Sequence, residues 1–278
     1  MFTDSTMSFD LDAVKREIAD TRFAGRIHHL PSVTSTNTLA LEAAQAGALE
    51  AVWVADEQTV GRGRGSHGWH SAAGDGLYVS ALVRPPLLPN DALRISLATG
   101  LAAKAAIAEI TGAEIDIRWP NDLLIGSKKC GGILVETAMT PEQNDSPAML
   151  RYAVIGIGIN LNHVSFPLEL GEVATSVRIE TGKTVGREAL LSVLLQQIER
   201  EMTLLVRGWH GTNNKRDLIE RFTEASTWVR GKHVHVAEAG GYTGITAGLD
   251  TQGFLKVDGD DGVRRTVLSG GVRELNKQ

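Results

Sequence analysis

The sequence predicts an α+β domain followed by a small all-β module, and three observations carry that expectation. Strand-length apolar runs alternate with helical periods from about residue 27 to Ser226. Two long segments, Asp91–Ile110 and Arg187–Val206, have helical length and an Ala/Leu-rich apolar pattern. After Ser226 the helical period disappears, and short strands over residues 228–275 are separated by Gly-Gly, Asp-Gly and Gly-Asp turns. The expected boundaries are therefore 1–26 for an N-terminal extension and helix, 27–226 for the larger domain and 227–278 for the β module.

Residues 1–8 show no pattern and are expected to be loose. Leu11, Val14 and Ile18, spaced three and four apart, predict a short helix over Asp10–Ala19. A strand near His28–Val33 runs into Ser35-Thr36-Asn37, residues suited to cap a helix over Thr38–Ala46 that Gly47 would end. Val52–Ala55 reads as a strand, Thr59–Gly76 as a glycine-rich loop and Leu77–Val83 as a strand stopped by Pro85-Pro86. Gly112 closes the helix that starts at Asp91, and strands follow around Ile115–Trp119, Leu123–Ile125, Ile133–Thr137 and Tyr152–Asn160. Leu190, Leu191, Leu194, Leu195 and Ile198 share one face of the helix from Arg187, and another helix spans roughly Lys215–Ala225.

Composition narrows the function. A net charge of −5 argues against a general nucleic-acid binder, because phosphate binding shows as a basic excess. The single cysteine, Cys130, excludes an intramolecular disulfide and any CxxC site, and reads as a packing thiol. No apolar run approaches the roughly 18 residues of a membrane span, and Met1–Ser8 lacks a signal pattern. A cytoplasmic enzyme without membrane contact fits these features.

Three segments carry candidate chemistry. Gln58-Thr-Val-Gly61-Arg62-Gly63-Arg64-Gly65-Ser-His67-Gly-Trp69 alternates glycines, which let backbone approach a ligand, with guanidinium groups able to hold carboxylate or phosphate. Read alone, it is equally a solvated loop or an RNA-binding tract, but its place between two apolar strands favours a small-molecule site. Arg118-Trp119-Pro120-Asn121-Asp122 ends a strand in a turn, and seven residues later Lys129 precedes Cys130-Gly131-Gly132 and another strand. Such a lysine reaches a bound anion or simply faces solvent. Gly156-Ile-Gly158-Ile-Asn160 is an interior strand in which the small residues admit either a ligand or tight packing. Gly182-Lys183-Thr184 only mimics a P-loop, since Val177 stands where the first glycine belongs.

Taken together and in this order, Ser35-Thr36-Asn37, Gln58 with Gly-Arg-Gly-Arg and Trp69, Trp-Pro-Asn-Asp, Lys129 with Gly-Gly-Ile-Leu-Val-Glu, and Gly-Ile-Gly-Ile-Asn resemble the biotin protein ligases. The closing Ser269-Gly270-Gly271-Val272-Arg273 is similar to the end of their SH3-like tail. The resemblance covers about residues 27–275. It implies a class II synthetase-like catalytic domain, with a mixed sheet flanked by helices, plus a small C-terminal SH3-like β-barrel. It further implies that biotin is activated with ATP and Mg²⁺ to biotinyl-AMP and pyrophosphate. The biotin then passes to a lysine of a carrier, the biotin carboxyl carrier protein of acetyl-CoA carboxylase.

By the same resemblance Ser35, Thr36, Asn37, Gln58 and the backbone of Gly61, Arg62, Gly63 and Arg64 hold biotin, chiefly its ureido head. Lys129 holds the biotin carboxylate and an α-phosphate oxygen, while Arg64, His67, Trp69, Asn121, Asn160 and Arg273 face the nucleotide. Asp122 is the candidate for positioning Mg²⁺ or the attacking lysine, which makes Lys129, Arg64 and Asp122 the expected catalytic set. His67 departs from the pattern, since many relatives carry arginine there. Relatives that also repress transcription carry an N-terminal winged helix-turn-helix. Residues 1–26 are too few for one, so no operator binding is expected. A lipoate or octanoate transferase of the same fold, a biotin-sensing regulator and a non-catalytic binding protein are the competing readings. Strand edges of the central sheet leave a homodimer open.

Overall fold

In the computed structural model, residues 9–65, 67–141, 147–209 and 214–275 are described. The expectation for residues 1–8 lies outside them. Among the described residues no helix is long and apolar enough to cross a membrane.

The first layer is a seven-stranded sheet. Its strands are β1 (Ile27–Val33), β2 (Ala51–Gln58), β3 (Gly76–Val83), β4 (Asp116–Arg118), β5 (Asp122–Ile125), β6 (Lys128–Met139) and β7 (Leu150–Asn160). They lie in the order β1-β2-β3-β7-β6-β5-β4, with β1 and β2 parallel and the remaining pairs antiparallel. Every residue of β3 is buried, which is how a strand covered on both faces behaves.

Helices α1 (Leu11–Glu17) and α3 (Ala92–Thr111) each pack against α5 (Arg187–Trp209) over the main apolar core. Helix α2 (Thr36–Gln45) covers β2, β3 and β7 through a separate cluster that includes Ala40, Ala44, Leu82, Tyr152 and Val154. Two helix ends follow their sequence signals: the side chain of Asp10 caps α1 by accepting from Ala13 N, and Gly112 closes α3 at φ +71°.

Helix α6 (Asn214–Ala225) leads into an antiparallel sheet of β8 (Arg230–Val236), β9 (Tyr242–Leu249), β10 (Leu255–Gly259), β11 (Arg264–Val267) and β12 (Val272–Glu274). The order is β11-β10-β9-β8-β12. Val234, Val236, Leu255, Val257 and Val267 from this sheet belong to the same apolar core as the first domain. Trp119 Nε1 donates to the Gly253 carbonyl at 2.9 Å, and Arg94 Nη2 to the Thr251 carbonyl at 2.6 Å. These bonds tie the module beside the Trp-Pro-Asn-Asp turn.

Three differences from the expected elements bear on the site. Helix α2 starts at Thr36 rather than Thr38, and Ser35 caps it without a side-chain hydrogen bond. Strand β6 begins at Lys128, so Lys129 and its two glycines are strand residues. An unexpected five-residue helix, α4 (Val177–Thr181), is capped by the Ser176 side chain. It closes at Gly182 with φ +71°, so the glycine that mimics a P-loop is a helix C-cap. Five residues are too few to display a helical period.

Candidate active site

The N–H of Thr36 at the start of α2 is met by Gln58 rather than by the Ser35 side chain, and the side chains of Thr36 and Asn37 turn inward over β3 and β7. Asn37 Oδ1 accepts from Ser80 Oγ at 2.7 Å, and Asn37 Nδ2 donates to Glu136 Oε2 at 2.8 Å, which fixes the amide orientation. At the end of β2, Gln58 Oε1 accepts from Thr36 N at 2.9 Å and lies 3.1 Å from Thr36 Oγ1, while Gln58 Nε2 donates to Ser71 Oγ at 2.9 Å. Ser80 Oγ also lies 2.8 Å from Thr36 Oγ1. The hydroxyls of Thr36 and Ser80 carry two protons for three close oxygen contacts, so acceptor capacity is left over. This favours a ligand that brings N–H groups. A Cβ at Gly156 would sit 2.2 Å from Asn37 Oδ1, so only glycine admits Asn37 here. The resulting cavity, of about 40 Å³, is lined by Ser35, Asn37 and Gln58 at one end and by Arg64, Asn121 and Lys129 at the other.

The Gly-Arg loop folds back on itself and closes this cavity. Gly63 N donates to the His67 carbonyl at 2.8 Å and Trp69 N to the Gly61 carbonyl at 2.9 Å. A Cβ on Gly61 would meet the Trp69 carbonyl oxygen at 2.4 Å. Arg62 makes a bidentate pair with Glu136 at 2.8 and 3.0 Å, so its guanidinium anchors the loop to β6 while the residue lines the cavity. Arg64 donates to Asn121 Oδ1 at 3.3 Å and to the Ser269 carbonyl at 2.6 Å. The Trp69 ring lies over Gly158 and Gly132, and its buried Nε1 has no partner among the described residues, an indole donor in place for a ligand oxygen. His67 is exposed, with Nδ1 3.0 Å from the Arg64 carbonyl.

Lys129 is positioned by backbone on two sides. Its N–H donates to the Val173 carbonyl and its carbonyl accepts from Thr175 N, both at 2.9 Å, and a register shift between β5 and β6 places a bulge beside it. Nζ sits 2.5 Å from Asp122 Oδ1 and 5.3 Å from the centre of the Trp69 ring. Asp122 Oδ2 accepts from Arg118 at 2.6 and 3.1 Å. Both carboxylate oxygens are therefore engaged. Burial works against the Asp122 charge, but Lys129 and Arg118 outweigh it and hold the pKa below the ordinary carboxylate value. Burial pushes the Cys130 thiol up to about 12, the mark of an inert packing cysteine.

A second, larger cleft of about 780 Å³ adjoins the first and reaches the C-terminal module. His67, Arg118, Asp122, Asn160, Trp228 and Arg273 line it, and Arg64, Trp69, Asn121 and Lys129 line both spaces. Asn160 is buried and its Nδ2 donates to the Thr175 carbonyl at 3.0 Å. Among the described residues no three His, Cys, Asp or Glu side chains gather as a metal cage. Asp122, the residue expected to position Mg²⁺ or the attacking lysine, is already paired to two cations, Lys129 and Arg118.

Apart from Gly61, which lines neither, the site residues expected from the sequence line one or both of two adjoining spaces. Sequence reasoning gave no role to Ser71, Ser80, Arg118 or Glu136. Arg118 and Glu136 stand inside segments it named, and Ser80 left a signal of its own, a lone hydroxyl inside the apolar run Leu-Tyr-Val-Ser-Ala-Leu-Val.

A mixed sheet with a Gly-Arg lid, opening toward a small β module, defines the class. Residues 29–160 match the Biotin/lipoate A/B protein ligase family, and residues 230–272 match the Biotin protein ligase C terminal domain. The chain is 33% identical over 237 residues to a bifunctional ligase/repressor BirA of Bacillus spizizenii, spanning 84% of this chain and 69% of that protein. It is 31% identical over 244 residues to a biotin–[acetyl-CoA-carboxylase] ligase of Mycobacterium tuberculosis, covering 86% of this chain and 84% of that one. Among solved structures, the biotin protein ligase of Aquifex aeolicus in complex with biotin and ATP superposes with a TM-score of 0.73 at 27% identity, covering 90% of this chain and all of that one. Within the wider class, this chain belongs to the biotin protein ligases.

Proposed function

We infer that the chain is an ATP-dependent biotin protein ligase acting on the carrier domain of acetyl-CoA carboxylase. The observation that carries this reading is the meeting of two spaces at Arg64, Trp69, Asn121 and Lys129. One is small, polar and suited to the ureido bicycle of biotin, and the other has room for Mg·ATP. The junction is where a carboxylate and an α-phosphate must meet.

Two like charges about 4 Å apart repel by roughly 4 kcal/mol at an effective dielectric near 20. Lys129 and Arg64 offset that repulsion and stabilise the charge that develops on the α-phosphate. A biotin carboxylate oxygen bonds to the α-phosphorus, the bond to the bridging oxygen breaks, and pyrophosphate leaves with the electron pair. No enzyme nucleophile takes part. The mixed anhydride is sheltered from water by the Gly-Arg loop, with Trp69 as its apolar face. The carrier lysine, of reference pKa near 10.4, attacks the acyl carbon after losing its proton, and AMP departs. In our reading Asp122 keeps Lys129 and Arg118 in register, and it accepts that proton only if one of those pairs opens.

The test is incubation with Mg·ATP, carrier domain and labelled biotin or lipoate. Pyrophosphate release with biotin label on the carrier is expected, and lipoate transfer without biotin transfer would overturn the reading. Lys129→Ala should lower the rate of adenylate formation by about 10²–10³, as for loss of one oxyanion donor, with the fold unchanged by circular dichroism. Near-parent turnover would remove Lys129 from the site.

A further inference from the structure

Arg64, on the lid of the first domain, is held from the second sheet. Its Nη2 donates to the Ser269 carbonyl at 2.6 Å, and a Cβ on Gly270 would stand 2.9 Å from Nη1. The turn that presents this carbonyl is glycine-rich, with Gly270 at φ +89° and Gly271 at φ +77°. A backbone of that kind has little intrinsic preference for one shape. Glu238 imposes one. Its carboxylate accepts from Leu268 N at 3.0 Å, Ser269 N at 2.5 Å and Ser269 Oγ at 2.6 Å. Glu238 stands in the connection between β8 and β9, in a single 3₁₀ turn, Glu238–Gly240. The next residue, Ala239, has φ +54° and ψ +36° and is the only non-glycine at positive φ among the described residues. An alanine seldom adopts this conformation, and such an outlier persists where the surroundings over-determine it.

We propose that Glu238 is a positioning residue of the ligase. By gathering the backbone of Leu268 and Ser269 it aims the Ser269 carbonyl at Arg64, and so latches the Gly-Arg lid from the C-terminal module. The inference rests on the proposed role of Arg64 over the adenylate, and it gives the β module a part in the reaction.

Two measurements test it. In the ligand-free protein, trypsin should cut after Arg62 and Arg64 about tenfold faster in Glu238→Ala than in the parent, at an unchanged melting temperature. That factor corresponds to loss of about one charge-assisted hydrogen bond, and cleavage of an opened loop tracks its population. Glu238→Gln, whose amide oxygen still accepts one N–H, should fall between the two and decides the matter if the Ala variant fails to fold. In the ligase reaction, Glu238→Ala should release biotinyl-AMP faster than the parent, whereas the double variant with Arg64→Gly should leak no more than Arg64→Gly alone. Parent-like cleavage and retention in a folded variant, or additive leakage in the double variant, would overturn the latch. A parent that makes no adenylate would sink the ligase reading instead, and the cleavage rates would still decide for or against the latch.

Discussion

Adding one methyl group at Gly158 should unseat the lid without unfolding the protein. A Cβ there would lie 2.4 Å from Trp69 Nε1 and 2.5 Å from Trp69 Cε2, against an ordinary contact of about 3.5–4.0 Å. One side must retreat by about 1 Å or more. Gly158 cannot, because β7 is paired at this residue with Tyr78 on one side and Gly132 on the other. The Trp69 ring rides on a loop and gives way. If the ring stayed, overpacking would cost about 1–3 kcal/mol of stability. If it leaves, that cost moves to binding, and the biotin Kd should rise about 10- to 100-fold, equivalent to roughly 1.4–2.7 kcal/mol. Calorimetric titration with biotin, together with thermal melts of parent and Gly158→Ala, separates the two outcomes. Gly156→Ala should do worse in both assays. Its Cβ would meet Asn37 Oδ1 at 2.2 Å, and Asn37 is buried and bonded on both sides. Gly171→Ala is the control, since its nearest neighbours would be the Leu168 and Pro167 carbonyl oxygens at 3.7 and 3.8 Å. A Gly158→Ala protein that binds biotin as tightly as the parent would refute the seating of Trp69 as the lid's apolar seal.

Two further expectations concern the charged residues. Arg64→Gly should release biotinyl-AMP about 10- to 100-fold faster, the effect of one lost charge-assisted bond, and should label bystander lysines. Unchanged adenylate retention on gel filtration would count against it. Asp122, with its folded pKa depressed, contributes stability that is full above its unfolded value near 3.9 and is lost as pH falls through the lower folded value. The parent should therefore lose melting temperature below about pH 4 more steeply than Asp122→Asn. That variant should be less stable at pH 7 by about 1–3 kcal/mol, discounted for the partial exposure of Lys129 and Arg118. Parallel pH profiles of the two proteins would contradict this account.

Much of the fold was legible in the chain because local chemistry decides it. The apolar face of α5 and the Gly112 stop after α3 read directly from residue spacing, as do the Gly-Gly and Asp-Gly turns of the β module. The candidate site was legible as separate glycine- and cation-bearing segments, since glycine is required wherever a side chain or ligand crosses a strand closely. Gly156 under Asn37 and Gly158 under Trp69 are two such places. What sequence could not state is which groups neutralise which. Arg62 reads as a ligand-binding guanidinium, yet it spends its charge on Glu136, 74 residues away. Asp122 reads as a carboxylate for positioning Mg²⁺ or the attacking lysine, yet Lys129 and Arg118 enclose it. Arg64 is held by a carbonyl 205 residues distant, in a turn shaped by Glu238. Pairings of this kind depend on which strands lie side by side and on how two sheets dock. They are long-range products of burying one shared core, and no local pattern encodes them.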